Sequence, residues 1–136
     1  MSLKQFSKKL KDLRPIVVYS DKILKRLSIF MAVGGMALFP YVILREKYRD
    51  SKDKFWIKAN KKTINHESIH FQQALELGVI PFYIWYVLEW AFKLPFYGSR
   101  AYYEISFERE AYSNDKNLKY LKTRKRYNWI SCIFKH

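Results

Sequence analysis

Cysteine, acidic residues and long apolar runs are all scarce in this sequence, and each shortage excludes a class of protein. The only cysteine is Cys132, which rules out a disulfide framework and a four-thiolate zinc site and favours a reducing, cytoplasmic compartment. Twelve Asp and Glu residues stand against 26 Lys and Arg residues, which gives a net charge of +14. Such an excess suits an anionic neighbour, either a phospholipid surface or nucleic acid.

The longest apolar run, within residues 28–46, falls short of the ~20 residues that a membrane-spanning helix needs. Gly34, Gly35 and Pro40 also interrupt it. Its β-branched and aromatic residues instead predict a hairpin of two strands divided at the paired glycines, after a first strand at residues 15–20. Proline cannot donate a ladder hydrogen bond, so we expect the strand with Pro40 to lie at a sheet edge.

The chain has 136 residues, of which 49% are hydrophobic, and this is enough for one domain with a core and too little for two. Residues 1–14 predict a basic amphipathic helix. This helix either packs its apolar stripe on the domain or lies on an anionic membrane. The stripe consists of Leu3, Phe6, Leu10 and Leu13.

Residues 116–136 form a basic tail with seven Lys or Arg residues and no acidic residue. The tail is either a solvated segment with a packed aromatic end or a segment that contacts the phosphates of lipid or nucleic acid. Tyr120, Tyr127 and Trp129 are able to stack on bases, but no recognisable nucleic-acid module surrounds them. We therefore expect an anionic membrane surface, at the inner face of the membrane, rather than nucleic acid.

The segment TINHESIHFQQALELG, residues 63–78, contains the pattern HExxH. At about 100° per residue, His66 and His70 share one helix face, as ligands of a single metal ion must. Glu67 lies beside that face, where its carboxylate can take a proton from a zinc-bound water. The segment thus predicts a zinc site with Glu67 as general base. The alternative is a pair of unliganded histidines with an ordinary surface glutamate.

The boundaries of the helices follow from capping residues. Thr63 or Asn65 is expected to cap the motif helix, and Gly78 is expected to end it. Pro81 is expected to open the next helix, and Ser99 to cap the one after that.

Residues 79–97 are the most apolar and aromatic part of the chain. Glu89 would be costly in lipid, and Lys93 and two prolines interrupt the run further. We expect a buried amphipathic helix that connects the motif helix to the following one. The alternative is an interfacial helix anchored by Trp85 and Trp90.

A catalytic zinc ion requires three protein ligands and a water, so a third ligand must come from another segment. In residues 99–115, Glu108 falls in the middle of an apolar stripe, where an unpartnered carboxylate would be costly. We expect Glu108 to be that ligand, with a salt bridge to a basic residue as the alternative. Glu104 is the reserve ligand, and Asp115 is placed to orient a histidine. Glu110 is expected to point the other way, into solvent.

The HExxH segment followed by EREA at residues 108–111 resembles the HExxH…ExxA arrangement of the gluzincin metallopeptidases. The wider pattern NHExIHxxQxxEL…PFYxxY…SFEREAY, over roughly residues 38–116, resembles a group of small bacterial zincin-like proteins. Tyr112 stands where the membrane-bound peptidases usually have Asp after ExxA. By this resemblance the Zn²⁺ ligands are His66, His70 and Glu108, and the general base is Glu67.

Together these features predict an α+β fold, with a short antiparallel sheet followed by helices that carry HExxH and ExxA. The expected activity is that of a zinc-dependent metallopeptidase acting on a peptide or protein substrate. The Pro40 strand would hold the substrate by edge pairing, and Tyr112 or Tyr83 would donate to the oxyanion. The alternative is a catalytically inactive zincin-like protein, or a basic membrane-surface or nucleic-acid-binding protein whose metal is structural or absent.

Overall fold

The computed structural model describes residues 1–27 and 35–134 and has a mixed α+β fold. Within these ranges the regular elements are α1 Leu3–Asp12, β1 Ile16–Tyr19, α2 Asp21–Leu27, β2 Gly35–Leu38, β3 Tyr41–Leu44, α3 Lys54–Leu77, α4 Val79–Tyr97, α5 Ala101–Glu104, α6 Ser106–Asn114 and α7 Tyr120–Thr123. Short 3-10 turns occur at Glu46–Tyr48, Gly98–Arg100 and Asn128–Cys132. The predicted N-terminal helix is confirmed; the side chains of Leu3, Phe6 and Leu10 in its stripe lie outside the described part.

The three strands form one sheet with the order β1-β3-β2. β3 runs parallel to β1 and antiparallel to β2. Its residues Val42, Ile43 and Leu44 are all buried, as expected for the central strand of a sheet covered by helices. The strand predicted at residues 15–20 is confirmed as β1, but a purely antiparallel sheet was wrong, because β3 pairs with β1 in the parallel direction.

The hairpin between β2 and β3 turns at Phe39 and Pro40, so the predicted division at the paired glycines was wrong. Residues 28–34, where the first strand of that prediction fell, lie outside the described residues. Gly35 instead opens β2 at a point of close contact. A Cβ atom there would lie 2.6 Å from the Leu44 side chain and 2.8 Å from that of Thr63.

The strand that follows Pro40 is the central one, so its predicted place at a sheet edge was also wrong. Pro40 lies in the turn before β3, where no ladder donor is needed, and its carbonyl accepts a hydrogen bond from the Ile16 amide at 3.0 Å. A substrate therefore has no free edge on this strand, which corrects the expected edge pairing.

Helix α3 begins about ten residues before either predicted cap. Asp53 is its cap, with its side chain accepting from the Phe55 amide at 2.7 Å. No proline or glycine follows until Gly78, which ends the helix with φ 94°, as predicted. Asn65 has a different role: its amide donates to the carbonyls of Asn114, Asp115 and Asn117, and so satisfies the C-terminal end of α6.

Helix α4 contains Pro81 in its first turn, as expected, but its predicted burial was wrong. Phe82 is its only buried residue, and its outward face is exposed along its length. Of the helices in the described ranges, none alone has the length and apolar composition to cross a membrane. The length and composition suffice only when two helical segments are taken together, and these segments are bent by 112° relative to each other: Lys54–Leu77 and Val79–Asn114.

The main apolar core lies where α3, α4 and α6 meet. It contains Ala74, Phe82, Ile105, Phe107 and Trp129, all 5% exposed or less. The tail folds back on α6 and inserts Trp129 into this core. The packed aromatic end is therefore confirmed for Trp129, which is not placed to stack on bases, whereas Tyr127 and Phe134 are 42% and 85% exposed.

Candidate metal centre

Three buried side chains converge between α3 and α6. Nε2 of His66 lies 3.2 Å from Nε2 of His70 and 3.1 Å from Oε2 of Glu108. Nε2 of His70 lies 3.1 Å from Oε1 of Glu108. Each residue offers one ligand atom, and these atoms lie within 4.8 Å of one another, so the group could hold a metal ion. The structure thus brings together the three residues that the sequence singled out.

Gln73 determines which nitrogen of His70 faces the other two residues. Its Nε2 donates to the Phe107 carbonyl at 3.2 Å and to the Glu110 carboxylate at 2.8 Å. Both partners are acceptors, so Oε1 must be the atom 2.8 Å from Nδ1 of His70, and Nδ1 must carry the hydrogen. In the neutral ring the lone pair of Nε2 then points at Glu108 and His66, as a metal ligand requires.

The carboxylate of Glu110, on α6, holds the side-chain amide of Gln73 in place. It is 0% exposed, and Arg124 donates to it from Nε at 2.7 Å and from Nη2 at 3.0 Å. Arg124 also pairs with Glu76, and Tyr120 donates to Glu110 at 2.7 Å. Burial raises the pKa of Glu110, but the hydrogen bonds and charge of Arg124 outweigh it, and the pKa lies below its ordinary value.

The expected solvation of Glu110 was therefore wrong, although its phase relative to Glu108 was right. Both faces of α6 are covered, one by α3 and the other by the C-terminal segment that carries Arg124. Glu104, the reserve ligand, is also not in the group: it pairs with Arg109 at 3.4 Å and its side chain is 25% exposed. The helical conformation is interrupted at Ile105. The segment therefore forms two separate helices, α5 and α6, rather than one helix capped by Ser99.

Glu67 is buried beside the three-residue group but is not one of its members. The backbone amide of Ala37, on the outer edge of β2, donates to its carboxylate. Burial raises the pKa of Glu67, while His70 and His66 favour its charged form and offset part of that rise. The carboxylate is thus held between the sheet edge and the histidines.

Tyr83 occupies the rest of that edge. Its hydroxyl accepts from the Phe39 amide at 3.0 Å and donates to the Ala37 carbonyl at 3.2 Å. Together, Tyr83 and Glu67 bond both backbone groups of Ala37 on this edge. The single hydroxyl proton of Tyr83 is therefore already in use.

Tyrosines surround Glu108, and of these the sequence analysis identified Tyr112 but not Tyr86 or Tyr102. Tyr86 donates to Oε1 of Glu108 at 2.6 Å. Burial, and then the charge of Glu108, raises the pKa of Tyr86 well above its ordinary value, so this hydroxyl remains a donor. The Tyr112 ring packs against His66, with 4.5 Å between ring centroids. Tyr86 could have been found as the α4 residue one helical turn beyond the buried Phe82.

The charges of the group reinforce one another. Burial lowers the pKa of His70, but the charge and hydrogen bond of Glu108 outweigh it and raise that pKa to about 9. Burial raises the pKa of Glu108, but His70 and His66 outweigh it, and the pKa falls well below its ordinary range. In the absence of a metal, His70 is thus a cation paired with Glu108, and a bound cation would take the place of its proton.

Asp115 lies near His66 but not in hydrogen-bonding distance. Its Oδ2 is 3.8 Å from Nδ1 of His66 and 3.3 Å from Nζ of Lys62. Its Oδ1 is buried and has no hydrogen-bond partner among the described residues. The hydrogen bond by which Asp115 was expected to orient a histidine is therefore not formed, and His66 is the histidine nearest to its carboxylate.

No family model matches the chain, and neither a curated protein nor a solved structure matches it.

Proposed function

We propose that this chain is a zinc-dependent metallopeptidase of the gluzincin type, with a zincin-like arrangement of its motif helices. The observation that carries the proposal is the convergence of His66, His70 and Glu108 in one buried group, with the separate carboxylate of Glu67 beside it. Two imidazoles and one carboxylate are the donor set of many catalytic zinc sites.

The donor atoms lie close enough together for one metal ion. Each of the three side chains offers a ligand atom, and these atoms lie within 4.8 Å of one another. The side-chain amide of Gln73 also fixes the tautomer of His70 that presents Nε2 to the other two side chains.

A bound Zn²⁺ would polarise both the scissile carbonyl and the attacking water. Glu67 accepts the proton that this water loses as its oxygen attacks the carbonyl carbon. Glu67 then donates that proton to the amine nitrogen when the C–N bond breaks. The Ala37 amide donates to this carboxylate, and the charges of His70 and His66 act on it.

We assign the second oxyanion donor to Tyr112. Of the two tyrosines that the sequence offered, Tyr83 donates its only proton to the Ala37 carbonyl. Tyr112 packs on the His66 ring, and it is 41% exposed, so it is open to a substrate. Its hydroxyl is therefore the one available to a developing negative charge.

The experiment that tests the proposal measures metal and hydrolysis on the same preparation. Elemental analysis should give about one zinc per chain, and a mixed-peptide library should be cleaved by the zinc-loaded protein and not after chelation. Absence of bound zinc after its addition would contradict the proposal. Zinc without cleavage of any peptide would favour the inactive zincin-like alternative.

A further inference from the structure

Helix α4 presents an exposed face without a single charge. Its only charged residues, Glu89 and Lys93, point inward and pair with each other at 2.7 Å. Glu89 also accepts from the Ser106 amide at 2.9 Å and so caps α6. A surface helix usually turns its apolar side inward and its charged side outward, and α4 does the opposite. The outward residues are Ile80, Ile84, Val87, Leu88, Phe92 and Phe96, between 55% and 73% exposed.

The C-terminal segment extends this apolar surface and brings positive charge beside it. Ile133 and Phe134 line a groove of about 560 Å³ against α4. The Trp129 ring, in the same segment, lies 6.0 Å from that of Trp85. The tail from residue 116 onward also carries exposed basic residues, and the exposed Arg100 follows the C-terminal end of α4. The exposed basic residues of the described part of the tail are Lys116, Lys119, Lys122, Lys125 and Arg126.

The remaining surface is strongly basic because many of the few acidic side chains are turned inward. Glu67, Glu108, Glu110 and Asp115 are buried, and the side chains of Glu76 and Glu89 are only 6% and 9% exposed. The 26 basic residues of the chain therefore greatly outnumber the acidic side chains that remain at the surface. Two copies of the chain that met through α4 would bring these like charges together, whereas an anionic surface would neutralise them.

We propose that the outward face of α4, together with Phe134, docks on an anionic lipid bilayer, with the helix lying in the interfacial plane. Such a helix buries its apolar face at the boundary of headgroups and acyl chains, while the flanking bases contact lipid phosphates. Trp85 and Trp90, which are 44% and 38% exposed, lie on α4 where interfacial aromatic residues anchor such helices.

The opposite face of the same helix forms a wall of the candidate metal centre. Phe82 lies beside His70, with 6.4 Å between ring centroids, and Tyr86 donates to Glu108. Docking would therefore hold the centre close to the bilayer. Resting on the hydrolase function proposed above, this makes polypeptide segments at a membrane surface the substrate class.

The test is a vesicle flotation assay on the full chain, scored without any peptide substrate. Wild-type protein should float with vesicles of phosphatidylcholine and phosphatidylserine, and binding should weaken with added salt and with phosphatidylcholine alone. Phe92→Asp and Ile84→Asp should each reduce the partition coefficient at least ~10-fold. Phe55→Asp is the matched control, because Phe55 is 67% exposed and Phe92 is 72% exposed, but Phe55 lies outside α4.

Urea unfolding of each variant checks that the fold is retained. Equal losses in Phe92→Asp and Phe55→Asp, or no binding of wild type to anionic vesicles, would overturn the docking proposal. So would dimerisation that Phe92→Asp abolishes in the absence of vesicle binding. Zinc content and cleavage of soluble peptides are measured separately, so failure of the hydrolase proposal leaves the flotation result unaffected.

Discussion

Nδ1 of His70 donates to Oε1 of Gln73 at 2.8 Å, and this contact fixes which nitrogen of the ring faces Glu108. Gln73 in turn donates to Glu110, so the orientation of a candidate ligand depends on a second carboxylate of α6 that does not itself touch the ring. Neither Gln73 nor Glu110 is needed to coordinate an ion. Both act on the centre by positioning His70.

Gln73→Leu should weaken zinc binding by ~10–100-fold, the effect typical of losing a hydrogen-bond partner of a metal-binding histidine. The measurement is a competition titration with a chromophoric chelator. Gln72→Leu is the matched control, because Gln72 is the next residue of α3 and donates instead to the Leu13 carbonyl. Equal affinities in the two variants would remove Gln73 from the support of the site.

Glu110→Gln should lower the free energy of unfolding by ~3–5 kcal/mol, because it leaves the buried Arg124 guanidinium with one carboxylate partner fewer. Glu104→Gln, which breaks a partly exposed pair with Arg109, should cost at most ~1 kcal/mol. Urea denaturation of both variants makes the comparison. The Glu104→Gln variant should also keep its zinc. Loss of zinc from this variant would show that Glu104, the reserve candidate, is a ligand.

The ligand group could be predicted from the sequence because it depends on local geometry. His66 and His70 need only an uninterrupted helix to meet, and Glu108 was identified as a carboxylate within an apolar stripe. The structure confirms that these three side chains meet. The long helix α3 extends past its predicted start without changing this relationship.

The surroundings of the group could not be predicted, because they depend on distant segments. Glu110 has the phase of a solvated residue within α6, and it is buried only because Arg124 and Tyr120 fold over it. The break at Ile105 depends on Glu89, which caps the Ser106 amide from α4. The pairing of β1 with β3 likewise depends on tertiary packing, which local strand propensity does not predict.

Stability of the metal-free protein should fall as the pH rises from about 6.5 to about 9. The pKa of His70 is raised to about 9 by Glu108, above its ordinary value of 6.5. Because the pKa of His70 is higher in the folded state than in the unfolded chain, the stability that this pair contributes is fully present below about pH 6.5 and is lost by about pH 9. The loss should be on the order of 3 kcal/mol.

Urea denaturation in the presence of a chelator at a series of pH values measures this loss. Glu108→Gln is the control, because it removes the charge that raises the pKa of His70, and its stability should change less over the same range. Parallel curves for wild type and Glu108→Gln would show that the His70 and Glu108 pair does not titrate in this window.

Glu67→Gln should separate metal binding from chemistry. The substitution keeps the size of the side chain and removes its basicity, and Glu67 is not in the ligand group, so zinc content should stay near one per chain. Hydrolysis of a mixed-peptide library should fall at least ~10²-fold, since the proton acceptor for the attacking water is lost. Glu104→Gln, remote from the ligands, should cleave like wild type. Undiminished cleavage by Glu67→Gln would exclude Glu67 as the base, and loss of zinc from that variant would place its carboxylate among the ligands.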